Sequence, residues 1–182
     1  MRVISGSARG RRLKEPADYN IRPTTDKVKE SIFNIIQFEI EGRRVLDLFA
    51  GTGQLGIEAL SRGADSCVFV DESGAAIKII GENVKACGFD KQAQILRGEA
   101  VSTLTRLGKF DVILLDPPYD TQLLTKVLEK IIEFDILKVN GIILCESRAE
   151  YALPEISAPY AERKEYKYGQ IKLTLYTRED DR

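Results

Sequence analysis

Five short, almost wholly apolar runs punctuate the chain, at residues 45–49, 67–71, 93–96, 112–116 and 142–146. Helical stretches at 55–62, 75–86, 101–107 and 122–134 separate them. Strands this apolar along their length cannot have a solvated face, so helices must cover both sides of the sheet. Alternation with helices further predicts parallel pairing through crossovers. Beyond Glu146 the pattern changes. Residues 165–168, the pair Gly169–Gln170, and Ile171, Leu173 and Leu175 alternating with polar residues predict a terminal antiparallel hairpin. The fold expected is α/β: a doubly wound, mostly parallel seven-stranded sheet with an antiparallel end, over residues 43–177. An irregular stretch, 1–22, and one helix precede it. Pro23, Thr24, Thr25 and Asp26 make a helix start, and Val28, Ile32, Ile35 and Ile36 form an apolar stripe ending near Ile40. The expected division is 1–42 and 43–182 within one compact unit.

Composition narrows the chemistry. A chain of 182 residues can bury a full core. No apolar run approaches the roughly 18 residues of a membrane span, and no signal-peptide pattern is read at the front. Cys67, Cys87 and Cys145 are odd in number and far apart, which argues against a disulfide framework or zinc site and suits the reducing cytoplasm. The chain contains no histidine. That removes histidine metal sites, Ser-His-Asp triads and histidine general bases. The net charge of −1 hides an asymmetry. Residues 1–29 carry eight basic and three acidic side chains, so the rest of the chain is net acidic. A basic arm on an acidic body points to a polyanionic partner, with Arg2, Arg9, Arg11, Arg12 and Lys14 as its contacts; a solvated tail is the alternative.

Gly51-Thr52-Gly53-Gln54-Leu55-Gly56 fits G-x-G-x-x-G between a strand and a helix, and Asp71 ends the next strand twenty residues on. In that context the pattern predicts a nucleoside-cofactor site, with glycines admitting the ligand to the backbone and Asp71 accepting from ribose hydroxyls. Asp47 closes the first strand. A carboxylate there disfavours a pyrophosphate and favours a cation, which shifts the expectation from NAD to S-adenosylmethionine. Gly98-Glu99-Ala100 follows the third strand, where Glu99 either accepts from an adenine amino group or is an ordinary surface-loop residue; spacing alone does not choose. Phe49, Glu72, Ala100 and, at the end of the fourth strand, Asp116 join the expected cofactor-binding set at these strand ends.

Asp116-Pro117-Pro118-Tyr119 ends the fourth strand at the same sheet edge. Two prolines alone could be a rigid turn. That reading leaves Asp116 and Tyr119 without a role. A carboxylate and the Pro117 carbonyl are two fixed acceptors for one planar NH₂ group, and Tyr119 offers a stacking face. Holding both N–H bonds frees the nitrogen lone pair and stabilises the positive charge it acquires. The motif therefore points to methylation of a base amino group without metal or histidine.

Together these motifs resemble class I S-adenosylmethionine-dependent methyltransferases, and more closely the RsmD family of bacterial 16S rRNA guanine-N2 methyltransferases. The resemblance rests on Met1-Arg2-Val3-Ile4-Ser5-Gly6 with Arg9-Gly10-Arg11, on Arg22-Pro23-Thr24-Thr25-Asp26 with Val28-Lys29-Glu30, on Asp47 to Gly53 with Gly56, and on Asp116-Pro117-Pro118-Tyr119. It covers nearly the whole chain. It implies N2 methylation of guanine 966 in the small subunit or an assembly intermediate; separately, a monomer with no membrane partner is expected. The resemblance also implies that Arg22, Thr24 and Thr25 border the cofactor pocket. Glu99 stands where related sequences more usually carry Asp.

Three rivals are weaker. Ser147, Tyr160 and Lys164 mimic a short-chain dehydrogenase set, but Pro154 and Pro159 interrupt the helix it needs. A DNA adenine-N6 methyltransferase would want a sequence-reading domain, for which no residues remain; folded RNA brings its own shape. A non-catalytic rRNA-binding protein would not need both motifs intact.

Overall fold

The computed structural model describes residues 1–16, 26–118 and 121–180. Seven strands form one sheet: β1 (Arg44–Asp47), β2 (Ser66–Asp71), β3 (Ala93–Arg97), β4 (Phe110–Leu115), β5 (Leu137–Arg148), β6 (Tyr160–Tyr168) and β7 (Ile171–Arg178). Five helices connect them: α1 (Asp26–Ile35), α2 (Gln54–Ser61), α3 (Gly74–Cys87), α4 (Ala100–Leu104) and α5 (Thr121–Glu133). The strand order is β3-β2-β1-β4-β5-β7-β6. The first five are parallel, and β7 runs antiparallel between β5 and β6. The expected doubly wound sheet with an antiparallel end is what forms.

Period-two alternation divides the strands between two cores. Val45, Cys67, Phe69, Val112, Leu114, Ile142 and Leu144 face α1, α2 and α3. Leu46, Val68, Val70, Ile113, Leu115, Ile143 and Cys145 face α4 and α5. Crossovers leave β1 in one direction and β4 in the other, so a crevice opens beyond their carboxyl ends, where open α/β sheets bind ligands.

Four boundaries differ from the periodicity. α1 ends at Ile35, although Ile36 and Ile40 are buried; the stripe marks burial, and the chain turns through the Glu39 N–H to Ile36 bond before Ile40 inserts. α4 stops at Leu104 and tightens into a turn, Leu107 N–H bonding to the Leu104 carbonyl. β5 begins at Leu137 because it absorbs a register shift against β4, with Asn140 at φ 59°. β6 begins at Tyr160, and its charged residues are those of a sheet edge.

Residues 1–16 are a docked hairpin, not a free arm. Arg2 bridges Arg12, and the Val3 amide donates to the Arg11 carbonyl. Val3, Ala8 and Leu13 join the core. Beneath them lies a polar anchor. Glu58, fully buried on α2, accepts from the amides of Ile4 (2.8 Å) and Ser5 (2.9 Å) and from Arg62 Nε (2.8 Å). Lys29, also fully buried, donates to the Arg2 carbonyl and lies 4.0 Å from Glu58. Burial pulls its pKa below the ordinary lysine value. Gly6 has φ 82°, and a Cβ on it would lie 1.7 Å from the Ser61 carbonyl oxygen, so only glycine allows this approach to α2.

Candidate active site

The glycine loop turns sharply after β1. Gly51 and Gly53 are left-handed, at φ 56° and 80°. A Cβ on Gly51 would enter open space, as a ligand cradle requires. The third glycine, Gly56, serves packing: a Cβ there would meet the Phe69 ring at 2.3 Å and Cys67 Sγ at 2.7 Å. α2 therefore lies against β2 only because position 56 lacks a side chain.

Asp71 organises the loop from the end of β2. One carboxylate oxygen accepts the Gly51 amide (2.8 Å) and the other the Ser73 amide (2.9 Å). Each oxygen retains a second lone pair for a donor such as a ribose hydroxyl. Asp47 differs from expectation. It is 1% exposed, and its carboxylate accepts the Gly56 amide at 2.9 Å. With the side chain held under α2, only its field is available to a ligand in the crevice. Burial, with Asp116 and Asp71 nearby, pushes its pKa up to about 7. Three carboxylates within electrostatic reach make this crevice hostile to a phosphate and favourable to a cation.

Glu99 also differs. Its oxygens accept from the amides of Val101 (3.0 Å) and Ser102 (2.8 Å), capping α4. The Ser102 bond foremost holds its pKa below the usual glutamate value. The cap fixes the direction of the carboxylate and, as at Asp71, leaves each oxygen a second lone pair for a donor such as an adenine amino group. Ala100 is buried beside it, Glu72 is exposed after Asp71, and Phe49 is half-buried against the α4–α5 core.

Asp116 and Pro117 follow β4 directly. Register pairs Asp47 with Leu114, so Asp116 lies two residues past that pair, across the crevice from the glycine loop. Asp116 is half-buried, Pro117 buried and Pro118 exposed. Tyr119 and the predicted pocket residues Arg22, Thr24 and Thr25 lie outside the described residues. The structure thus brings Asp47, Gly51, Gly53, Asp71 and Asp116 to one edge. The dehydrogenase set does not assemble: Tyr160 and Lys164 are on strand β6, and the Tyr160 hydroxyl donates to Asp135. The anchoring roles of Glu58, Lys29 and Asn83 were not read from the sequence: Glu58 stands out only as a charge among Gly56, Ile57, Ala59 and Leu60, and Lys29 and Asn83 have polar neighbours like any exposed helical position.

The crevice fits S-adenosylmethionine, with Asp71 for the ribose, the open cradle at Gly51 and a negative field for sulfonium and ammonium. Fold and site together define an S-adenosylmethionine-dependent methyltransferase of Rossmann-like architecture. The chain belongs to the family described as "Conserved hypothetical protein 95", whose model matches residues 1–177. A Bacillus subtilis (strain 168) protein, provisionally named rRNA methyltransferase YlbH, is 46% identical over 97% of this chain and 98% of its own. Ribosomal RNA small subunit methyltransferase D of Escherichia coli (strain K12) is 33% identical over 98% of this chain and 90% of its own. The solved structure of yhhF from Escherichia coli, described provisionally as a methyltransferase, superposes with TM-score 0.88 at 31% identity, covering 98% of both chains.

Proposed function

We propose that the protein transfers the methyl group of S-adenosylmethionine to the exocyclic N2 amino group of a guanine in 16S rRNA, with guanine 966 as the position the family resemblance implies. The observation that carries this reading is the placement of Asp116-Pro117-Pro118 at the crevice between β1 and β4, opposite the glycine loop. The substrate is the small subunit or its assembly intermediate, and the enzyme works as a cytoplasmic monomer. No helix among the described residues is long and apolar enough to cross a membrane.

The chain's own groups have separable tasks. The Asp116 carboxylate and the Pro117 carbonyl accept the two N–H bonds of the target amino group and aim its lone pair at the methyl carbon. When bound, the cofactor supplies that carbon as an electrophile on a sulfonium. As the C–N bond forms the C–S bond breaks, sulfur keeps the electron pair, and the proton lost from nitrogen leaves through the acceptor pair to solvent. Asp116 is worth most as the nitrogen becomes positive, which is when stabilisation accelerates reaction. Tyr119 stacks on the extruded base. Asp71 holds the ribose, and the field of Asp47 favours the cation. Arg2, Arg9, Arg11 and Arg12 are exposed on the docked hairpin, and Lys14 pairs with Glu82 at 2.5 Å. They hold rRNA phosphates.

The deciding experiment is transfer of labelled methyl from S-adenosylmethionine to purified small subunits lacking the modification, followed by nuclease digestion and mass spectrometry. N2-methylguanosine at one position is expected. Label in adenosine, or none, overturns the assignment. Within that assay Tyr119→Phe should act nearly normally and Tyr119→Ala poorly; equal damage would make the hydroxyl, not the ring, the working part.

A further inference from the structure

Asn83 lies on α3, 1% exposed, and belongs to neither the crevice nor the basic surface. Both N–H bonds and the oxygen of its amide are engaged. Oδ1 accepts the Lys14 amide at 2.7 Å, while Nδ2 donates to the Lys14 carbonyl at 3.1 Å and to the Thr52 carbonyl at 2.9 Å. The partners fix its orientation, because a flipped amide would set NH₂ against the Lys14 N–H. One buried side chain thus clamps both backbone groups of the residue that ends the basic hairpin and holds the central residue of Gly51-Thr52-Gly53. Met1, at the start of the same hairpin, also meets this point: its sulfur accepts from the Thr52 hydroxyl at 3.4 Å.

We propose that Asn83 is a positioning residue that couples RNA held on the basic hairpin to the grip of the glycine loop on the cofactor. This rests on the reading of the hairpin as the rRNA contact. Thr52 is flanked by two left-handed glycines; the Gly53 amide ties the Thr52–Gly53 peptide to the Ala50 carbonyl from within the loop, and Asn83 holds the same peptide from outside it. RNA phosphates seated on Arg9, Arg11 and Arg12 immobilise the hairpin. Through Lys14 and Asn83 that restraint reaches Thr52. A loop already ordered loses less conformational freedom when the cofactor arrives, which is positive cooperativity without change of shape. Linkage is reciprocal, so bound cofactor tightens RNA by the same factor.

The test is a set of titrations with S-adenosylhomocysteine, which cannot react, in the absence and presence of saturating small subunits that lack the modification. Wild type should bind it at least about fivefold more tightly on the subunit. In Asn83→Ala the ratio should fall to within about twofold of one, measured at subunit concentrations that saturate the variant itself. A cooperative melt checks that the variant folds. Asn83→Asp provides the same test at constant volume, because it keeps the acceptor for the Lys14 N–H but turns a carboxylate oxygen toward two carbonyls. It too should lose the coupling. A wild-type ratio of one, or a variant ratio equal to wild type, overturns the proposal. The Arg9/Arg11/Arg12→Ala triple variant separates the two readings: unchanged subunit affinity there refutes the hairpin as the RNA contact, and the coupling with it.

Discussion

The glycine loop and the N-terminal hairpin are neighbours that share Asn83, yet opposite forces hold them. The loop rides on β1 and β2, whose central residues are apolar and buried, and its polar support from the sheet is the carboxylate of Asp71, with Asn83 holding Thr52 from α3. The hairpin adds three buried apolar side chains, Val3, Ala8 and Leu13, and hangs on polar groups from three helices: Lys29, Glu58, Ser61 and Asn83. A surface that must present arginines to a polyanion has little apolar area to bury, so it is fastened from beneath by hydrogen bonds. A site that must hold a small cation can be built on a dry core.

Breaking the hairpin's anchor should therefore be the most damaging change to stability. Glu58→Ala leaves two amides and the Lys29 and Arg62 charges without their buried partner, and should lower unfolding free energy by about 3–5 kcal/mol in a thermal or urea melt. A loss below about 1 kcal/mol would mean that the apolar contacts alone hold the hairpin. Asp116→Ala tests the other side. It should reduce single-turnover methyl transfer by about 10²–10³ while the melt stays near wild type. A near-normal rate would make Asp116 a turn residue.

Asp47 links the core to the charge of the crevice, with a sign that can be checked. Its pKa is raised in the folded chain, so its contribution to stability is complete below the ordinary aspartate value and is lost as pH rises through about 7. Unliganded wild type should lose stability relative to Asp47→Asn as pH rises from about 4 to about 7 and change little beyond that. Cofactor affinity should run the other way, rising through pH 7 because the ionised carboxylate attracts the cation. Asp47→Asn should flatten that rise and weaken binding about tenfold near pH 8. Parallel pH profiles for the two proteins would remove Asp47 from cofactor recognition. The smallest effect belongs to the surface: Arg9/Arg11/Arg12→Ala should flatten the log–log salt dependence of subunit binding by about two units, at roughly 0.7 per phosphate contact. An unchanged slope would return the hairpin to a solvated surface.

The same contrast explains what the sequence could reveal. The sheet, the glycine turn and the end of β4 before Asp116 were legible because each is local: an apolar run, a G-x-G spacing, a strand followed by two prolines. Even Gly56 fits the fingerprint's packing glycine. The anchoring of the hairpin was not. Val3, Ala8 and Leu13 follow no helical or strand period, and Glu58 and Asn83 look like ordinary polar positions of helices until the hairpin is laid on them. Asp47 and Glu99 were correctly placed at strand ends, but the direction of each carboxylate depends on which amide is nearest: Gly56 for one, Ser102 for the other. Spacing alone does not decide that competition.

The position of β7 carries a consequence for how the molecule is made. It is the last strand in the chain, yet it lies between β5 and β6. As the chain emerges, β6 has no place in the sheet until residues 171–178 follow it, so the long edge of β5 waits unpaired, with Ile142 to Cys145 already apolar on both faces. An open, hydrophobic edge recruits other strands. A premature stop within β7 would thus produce a sticky intermediate rather than a slightly shorter enzyme, and the hairpin turn at Gly169 and Gln170 sets how quickly a nascent chain leaves that exposed state.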